Sequence, residues 1–552
     1  ALTRPRSPAV RKHTMPSKTI TQPPNTRSGG DWRSQTEGGP SLIRSDDPTF
    51  ARFIGLGAAA LIIFGGMALI LQSAGRVTPL GPGWASFLLT AGVAGLLFHA
   101  AFDWDVQFRR IYMVFGYAVL ALGVFLAVVP YQGHMGSLFA QGFACLLLGL
   151  LFLLAFLRNE DDARLRKTAE SVIGALGVLM AVVGLVGGNI KGDFFMPVGL
   201  LLAVLGIIYL AAYVGSRGVS DDLVYRVGLG IGAAGALVVL VALGRSILPP
   251  LFHSWHWKEI APEPYFIPYG ALLTAVGAIY ICASLLLCSD SRLVVLTRRE
   301  LGSLFYSPIA YVLLFVFVVA HWLAYMWPVW IMLTEENARA TPEPIVRDFI
   351  LQLTAVISTI VAVPVLTMRL LSEEKRSGTL EVLLTAPVDE GVIVLSKFLA
   401  AYVMYLVMWL PFGLFLAYFR VGGGAEFDYR PLFSFAIGQL VTGAAFIGMG
   451  VFFSSLSRSQ VASGILTFGG MLALTVVYFF GRLASQIMVN SAEPLRSQME
   501  TLSRIFKHVS YIDVWIDTLS GQLFLRQVLF FVTLAIVWLF VSVKVVEARK
   551  WT

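Results

Sequence analysis

The densest group of chemically capable side chains in this 552-residue sequence is Glu373, Glu374, Lys375 and Arg376, followed by Gly378, Thr379 and Glu381. The group carries no catalytic spacing. No Ser-His-Asp, paired-carboxylate or Cys-His arrangement stands at motif distance anywhere in the chain. The chemistry it supports is recognition. Leu380, Leu383 and Leu384 fall at i, i+3 and i+4, so a short helix from about Thr379 to Ala386 has one apolar face. Gly378 opens that helix and Pro387 closes it. Such a helix, flanked by charges, can enter a groove on a partner while the charges fix register. The plainer alternative is a charged loop whose leucines rest on the membrane interface.

Other chemistry-bearing residues point to less. His253 and His256 stand three apart with Glu259 nearby, a conceivable metal set. Trp255 and Trp257 between them fit an aromatic belt equally well. Cys145, Cys282 and Cys288 form no CxxC pair and read as packing residues. No G-x-x-x-x-G-K-[ST] loop occurs, so ATP hydrolysis by that route is excluded and no cofactor or metal is expected in the chain.

The elements that must position the charged group are membrane helices. Hydrophobic residues make up 57% of the chain and charged residues 13%. Average soluble domains carry about 25% charged residues. Apolar runs close to the ~20 residues that cross a bilayer are expected at 53–71, 84–102, 111–129, 138–157, 172–188, 197–214, 224–244 and 268–288. A second set follows at 309–327, 349–367, 393–419, 432–453, 461–480 and 528–545. The fold class is therefore all-α and polytopic, with about fourteen spans arranged as eight plus six.

The net charge of +8 resides mainly in short loops, where Lys and Arg set orientation. Arg109, Arg110, Arg158, Lys167, Arg369 and Arg458 all fall on one side of this alternation, which puts both termini in the cytoplasm. Residues 1–47 are rich in Pro, Ser, Thr, Gly and Arg and read as a disordered basic tail, not a signal peptide. Residues 48–290 form an eight-helix membrane domain of unknown role, and residues 291–552 a six-helix module. Within the first domain, helices one, three, five and seven are glycine-rich and start roughly 55 residues apart, suggesting stacked hairpins.

The segment "SEEKRSGTLEVLLTAPV" resembles the E-x-x-x-G-T-L-E-x-L-L-x-x-P-V signature of type-2 ABC transporter permeases, in particular the gliding-motility-type branch. "TRRELGSLFYSPIAYVLL" is similar to that branch's entry helix and first span. The ending "HVSYIDVWIDTLSGQLFLRQVLFFVTLAIVWLFVSVKVVEARKW" resembles its last outer segment, final helix and basic C-terminus. The likeness covers about Leu296 to Trp551. It implies a permease subunit of an exporter in the bacterial inner (cytoplasmic) membrane. A separate cytoplasmic ATPase carrying Mg-ATP would couple through Glu373, Glu374, Arg376, Gly378, Thr379, Leu380, Glu381, Leu383, Leu384 and Pro387. It also implies an elbow helix over Thr297–Tyr306, in which Leu301, Leu304 and Phe305 share a face opposite Arg299, with Glu300 alongside and Arg298 breaking the pattern. A second permease copy or homologue completes the pathway. The eight extra helices depart from the family.

Asp and Glu are essentially absent from the centres of the spans, and His99 and His321 are expected near span ends, which argues against an ion-coupled carrier. A different class remains open: a structural or assembly subunit whose permease-like module docks on another membrane complex. A flippase working without ATP is a further rival. The outer segment 482–522 holds Leu495, Met499, Leu502, Phe506 and Val509 at helical spacing, and so an amphipathic helix. That helix either lies on the membrane face or receives an extracytoplasmic subunit.

Overall fold

The computed structural model describes residues 48–548, apart from 74–83, 103–104, 129–137, 191–197, 217–218, 255–264, 335–345, 352, 386–387, 423–427, 429 and 491–494. The basic tail, the His253–Glu259 side chains and Pro387 lie outside the described residues. Among the described residues every regular element is helical. Eleven helices are long and apolar enough to cross a membrane. Three shorter apolar helices, Phe87–Phe102, Leu200–Val214 and Val312–Pro328, occupy other positions where the sequence predicts spans.

The first eight helices pair as neighbours: α1 (Pro48–Ser73) with α2 (Trp84–Phe102), α3 (Val106–Val128) with α4 (Phe139–Asn159), α5 (Ala163–Ile190) with α6 (Leu200–Val214), and α7 (Asp221–Ser254) with α8 (Ala271–Cys288). Small residues make this pairing close, because lipid supplies no hydrophobic drive between helices and backbone approach must supply packing. A Cβ on Gly206 would come within 2.5 Å of the Ala181 amide nitrogen, and one on Gly184 within 2.5 Å of that of Ala203.

The hairpins repeat more strictly than the glycine-rich first helices suggest. Gly206 and Gly277 are each followed three residues later by a buried tyrosine, Tyr209 and Tyr280. Tyr209 donates its hydroxyl to the Leu146 carbonyl of α4 at 2.7 Å, and Tyr280 donates to the Ala203 carbonyl of α6 at 2.7 Å. Leu146 stands three residues before Gly149, and Ala203 three before Gly206. Both junctions thus use one register. At the first junction Phe152 takes the tyrosine position and stacks on Tyr112, whose hydroxyl meets His99 Nδ1 at 2.8 Å.

The second half is built around one apolar core shared by its spans. An amphipathic helix α9 (Arg292–Tyr306) leads into α10 (Pro308–Thr334), followed by a short α11 (Val346–Ile350) and α12 (Leu353–Thr367). Two short helices, α13 (Ser372–Ser377) and α14 (Thr379–Thr385), precede α15 (Glu390–Gly422), α16 (Pro431–Leu456) and α17 (Gln460–Asn490). The amphipathic α18 (Leu495–Val509) occupies the expected stretch. Then α19 (Tyr511–Leu519) enters the core before the last span, α20 (Leu525–Ala548). Trp515 of α19 is fully buried and donates Nε1–H to Thr442 Oγ1 of α16 at 3.2 Å.

His321 departs from the sequence expectation. It lies in the middle of α10, fully buried, with Nδ1 2.8 Å from the Phe317 carbonyl and its ring against Trp409 and Phe412. The expected run stops at Trp327, but the helix continues through Pro328 to Thr334, which moves His321 inward from the end.

Candidate coupling site

The site is built where α12 ends and α15 begins. The chain leaves α12 at Thr367, passes four residues and re-enters helix at Ser372. A new helix leaves its first amides without intrahelical acceptors. Leu371, at the N-cap, supplies no side-chain bond. Ser454 of α16 caps instead: its Oγ accepts from the Leu371 amide at 3.0 Å and from the Ser372 amide at 3.1 Å. Lys375 is buried and donates Nζ–H to the Ser455 carbonyl, a cation on the last turn of α16 where the helix dipole favours it.

Gly378 separates α13 from α14. Its φ is +75°, the left-handed region that costs residues with a Cβ, and a Cβ there would touch nothing within 4 Å. The glycine therefore serves the backbone turn alone. Ser377 Oγ and Thr379 Oγ1 are 2.8 Å apart across it.

Lys397, on the second turn of α15, joins three elements. Its Nζ donates to Glu300 Oε2 of α9 at 2.9 Å and to Glu374 Oε1 of α13 at 2.7 Å. The lysine side chain is 3% exposed and the carboxylates 16% and 19%. A buried cation needs such partners, because its desolvation is otherwise uncompensated. Arg369 and Glu373 pair at 3.0 Å, but both are partly open to solvent and the pair contributes little.

The elbow is longer than predicted. It starts at Arg292, with Ser291 Oγ accepting from the Val294 amide at 3.3 Å. Leu301, Leu304 and Phe305 are half-buried, and the last two pack on the core. Arg299 is exposed as expected, and Arg298 joins it on the exposed side instead of interrupting the apolar face.

The apolar face of α14 is divided. Leu380 is 3% exposed and belongs to the module's own core, so it is not available to a partner. Leu383 is half-buried, and the side chain of Leu384 lies outside the described residues. The surface turned outward consists of Arg376, Ser377, Gly378, Thr379, Glu381, Val382 and Thr385, with Val382 71% exposed. A leucine with core space available buries itself there, and helical spacing alone does not say which side of a face is already taken. Lys397, Ser454 and Lys375's role were absent from the sequence reading. The one legible signal was a lysine inside the start of an apolar span, which must find a partner.

The first short helix, α13, is tied to α15 by Lys397 and to α16 by Ser454 and Lys375, while α14 follows it with Leu380 in the core and Val382 exposed. Comparison with curated proteins and with solved structures finds no match. Residues 328–544 match the family described as ABC-2 family transporter protein, beginning past the elbow and near the end of the first span of the module. That match supports an ABC-2-type permease domain, a membrane transport component that is not itself catalytic, in the C-terminal part of the chain.

Proposed function

We propose that this chain is the permease subunit of an ATP-driven exporter whose ATPase is a separate cytoplasmic polypeptide. The α13–α14 pair receives that ATPase. The observation that carries this reading is that α13 is tied to two spans while residues 376–379, 381 and 382 of the pair are exposed. A push on Arg376, Thr379, Glu381 and Val382 is passed through Lys397 to α15 and through Ser454 to α16, and packed helices then shift as units. The "SGTLEVLLTAPV" motif further supports the gliding-motility-type branch and a second permease copy.

The test is co-purification. The full chain is tagged in its native membrane and the proteins retained with it are identified. The expected result is a P-loop ATPase that is retained by the natural chain and released by Arg376→Glu with Val382→Asp. A second reading, an assembly subunit, draws on the contact of the hairpin region with the module through α4 on α15 and α8 on α9. Capture of another membrane complex in place of an ATPase would favour it.

A further inference from the structure

The end of the module opposite the coupling pair holds a second charged cavity. Near its start α17 passes the end of α12, where a Cβ on Gly464 would lie 3.5 Å from the Met368 sulfur. Arg482 stands about 27 Å further along the same helix, at ~1.5 Å per residue. That distance is close to the ~30 Å of a hydrocarbon core. At this level α18 packs back along α17, and a Cβ on Gly481 would meet Phe506 Cβ at 3.2 Å. Between α17, α18 and α19 lies a half-open cavity of about 300 Å³, at the lower end of small-molecule sites.

Its lining holds two carboxylates and two cations. Asp513 and Asp517 are one turn apart on α19 and share a face, where like charges repel. Arg482 comes from α17 and Lys507 from α18, but neither closes on the carboxylates. Lys507 Nζ stands 3.9 Å from Asp517 Oδ1, beyond hydrogen-bond reach, on a side chain 59% exposed. Arg482 turns its Nε to the Tyr478 hydroxyl at 3.1 Å. Asp517 is nonetheless fixed from behind. Its side chain is 12% exposed, and the buried Gln527 donates Nε2–H to its Oδ2 at 3.0 Å. That orientation leaves Gln527 Oε1 without a hydrogen-bond partner, a cost offset by the charge-assisted bond to the carboxylate. Oδ1 is the oxygen left facing Lys507 across the gap.

We propose that this cavity binds a small zwitterion, a primary ammonium joined through one or two carbons to a carboxylate or phosphate. The ammonium donates to Asp513 and to Asp517 Oδ1, and the anion accepts from Lys507 and Arg482. The lining balances two charges of each sign, so a dipole fits where a lone cation would meet Lys507 and a lone anion would meet α19. Sheltered carboxylates and exposed cations put the ammonium inside and the anion at the mouth. Ile516 is the one large apolar residue in the lining, so any hydrocarbon attached to the ligand stays outside. Free amino acids and the phosphoethanolamine head of a lipid share this chemistry.

The test is isothermal titration calorimetry on the purified, delipidated full chain in detergent. Glycine and phosphoethanolamine serve as free zwitterions, ethylamine and acetate as single-charge controls. The expected result is saturable binding of a zwitterion and roughly tenfold weaker binding of both controls. Asp517→Asn should weaken zwitterion binding about tenfold, the worth of one charge-assisted hydrogen bond. Lys507→Gln changes an exposed side chain, leaves the fold intact and should weaken binding several-fold. Glu500→Gln, which removes the exposed pair with Arg504 on the same helix, should leave it unchanged. Mixed-lipid nanodiscs read by native mass spectrometry separate the two sources. Retention of phosphatidylethanolamine over phosphatidylcholine, lost in Lys507→Gln, with no binding of the free probes, assigns the site to a lipid headgroup. Controls that bind as tightly as the zwitterions, affinity indifferent to both Asp517→Asn and Lys507→Gln, or no binding of either free or lipid-borne zwitterion, overturns the proposal. The readout needs no ATPase, so it can fail while ATPase capture succeeds, and the reverse.

Discussion

Lys397 and Glu374, 23 residues apart in sequence, meet at 2.7 Å and bind the long apolar helix α15 to the short α13 that precedes it. Glu300, 97 residues upstream, closes the same contact from the elbow side at 2.9 Å. One ammonium thus fixes three elements that share no local sequence.

Lys397→Met is expected to destabilise the chain by about 3 kcal/mol, the low end for a broken buried pair, because the stranded carboxylates retain some water. Glu374→Gln alone should cost less, since Lys397 keeps Glu300. A double-mutant cycle on Lys397 and Glu374, read by thermal unfolding of the purified full chain, should return a coupling of ~1–3 kcal/mol. Additive effects would mean the contact is incidental.

Gly378→Ala is expected to cost about 1 kcal/mol, all of it backbone strain, because the added methyl meets no neighbour. Gly378→Asn should cost less, since Asn tolerates the left-handed region. The same unfolding assay reads both. Equal stability of all three forms would show that the turn is not held at positive φ.

The hairpin register predicts a matched pair of losses. Tyr209→Phe and Tyr280→Phe should each lower stability by about 1 kcal/mol, one buried hydrogen bond apiece. Their effects should add, since they act at separate junctions. A loss at only one of the two would break the repeat.

Asp513 of α19 gives a pH signature. Burial raises its pKa above the ordinary carboxylate value, and Ser510, Lys507 and Arg482 offset part of that. The folded state therefore holds the proton more tightly than the unfolded chain. Its stabilising contribution is full below the unfolded pKa and is lost as pH rises through the folded one. Asp513→Asn, a fixed mimic of the protonated group, should flatten that acid window and unfold no more easily than the natural chain at neutral pH. A steeper pH dependence in the variant would contradict the assignment.

Much of the fold was readable because crossing a bilayer demands long apolar runs and Gly378 marks a break no side chain tolerates cheaply. The α14 helix occupies almost its predicted residues for that reason. The elbow's start was missed because Arg298 and Arg299 obscured an apolar stripe that begins with the Ser291 cap. Helical spacing predicts a partner-facing Leu380, because periodicity gives a face but not its neighbour. Lys397 and Ser454 were invisible as site residues because their partners lie 23 to 97 residues away. Tyr209 and Tyr280 carry a G-x-x-Y signal in the second helices, whereas the apparent repeat lay in the first.

The central claim is that the outer face of the α13–α14 pair meets an ATPase on the cytoplasmic side. A photo-crosslinking residue at Val382, 71% exposed, compared with one at Leu380, 3% exposed, tests it directly in native membranes. An adduct to a P-loop-bearing chain from position 382, and none from 380, is the predicted result. Adducts from 382 to lipid alone, or labelling of Val382→Cys by an impermeant thiol reagent added from outside, would contradict it.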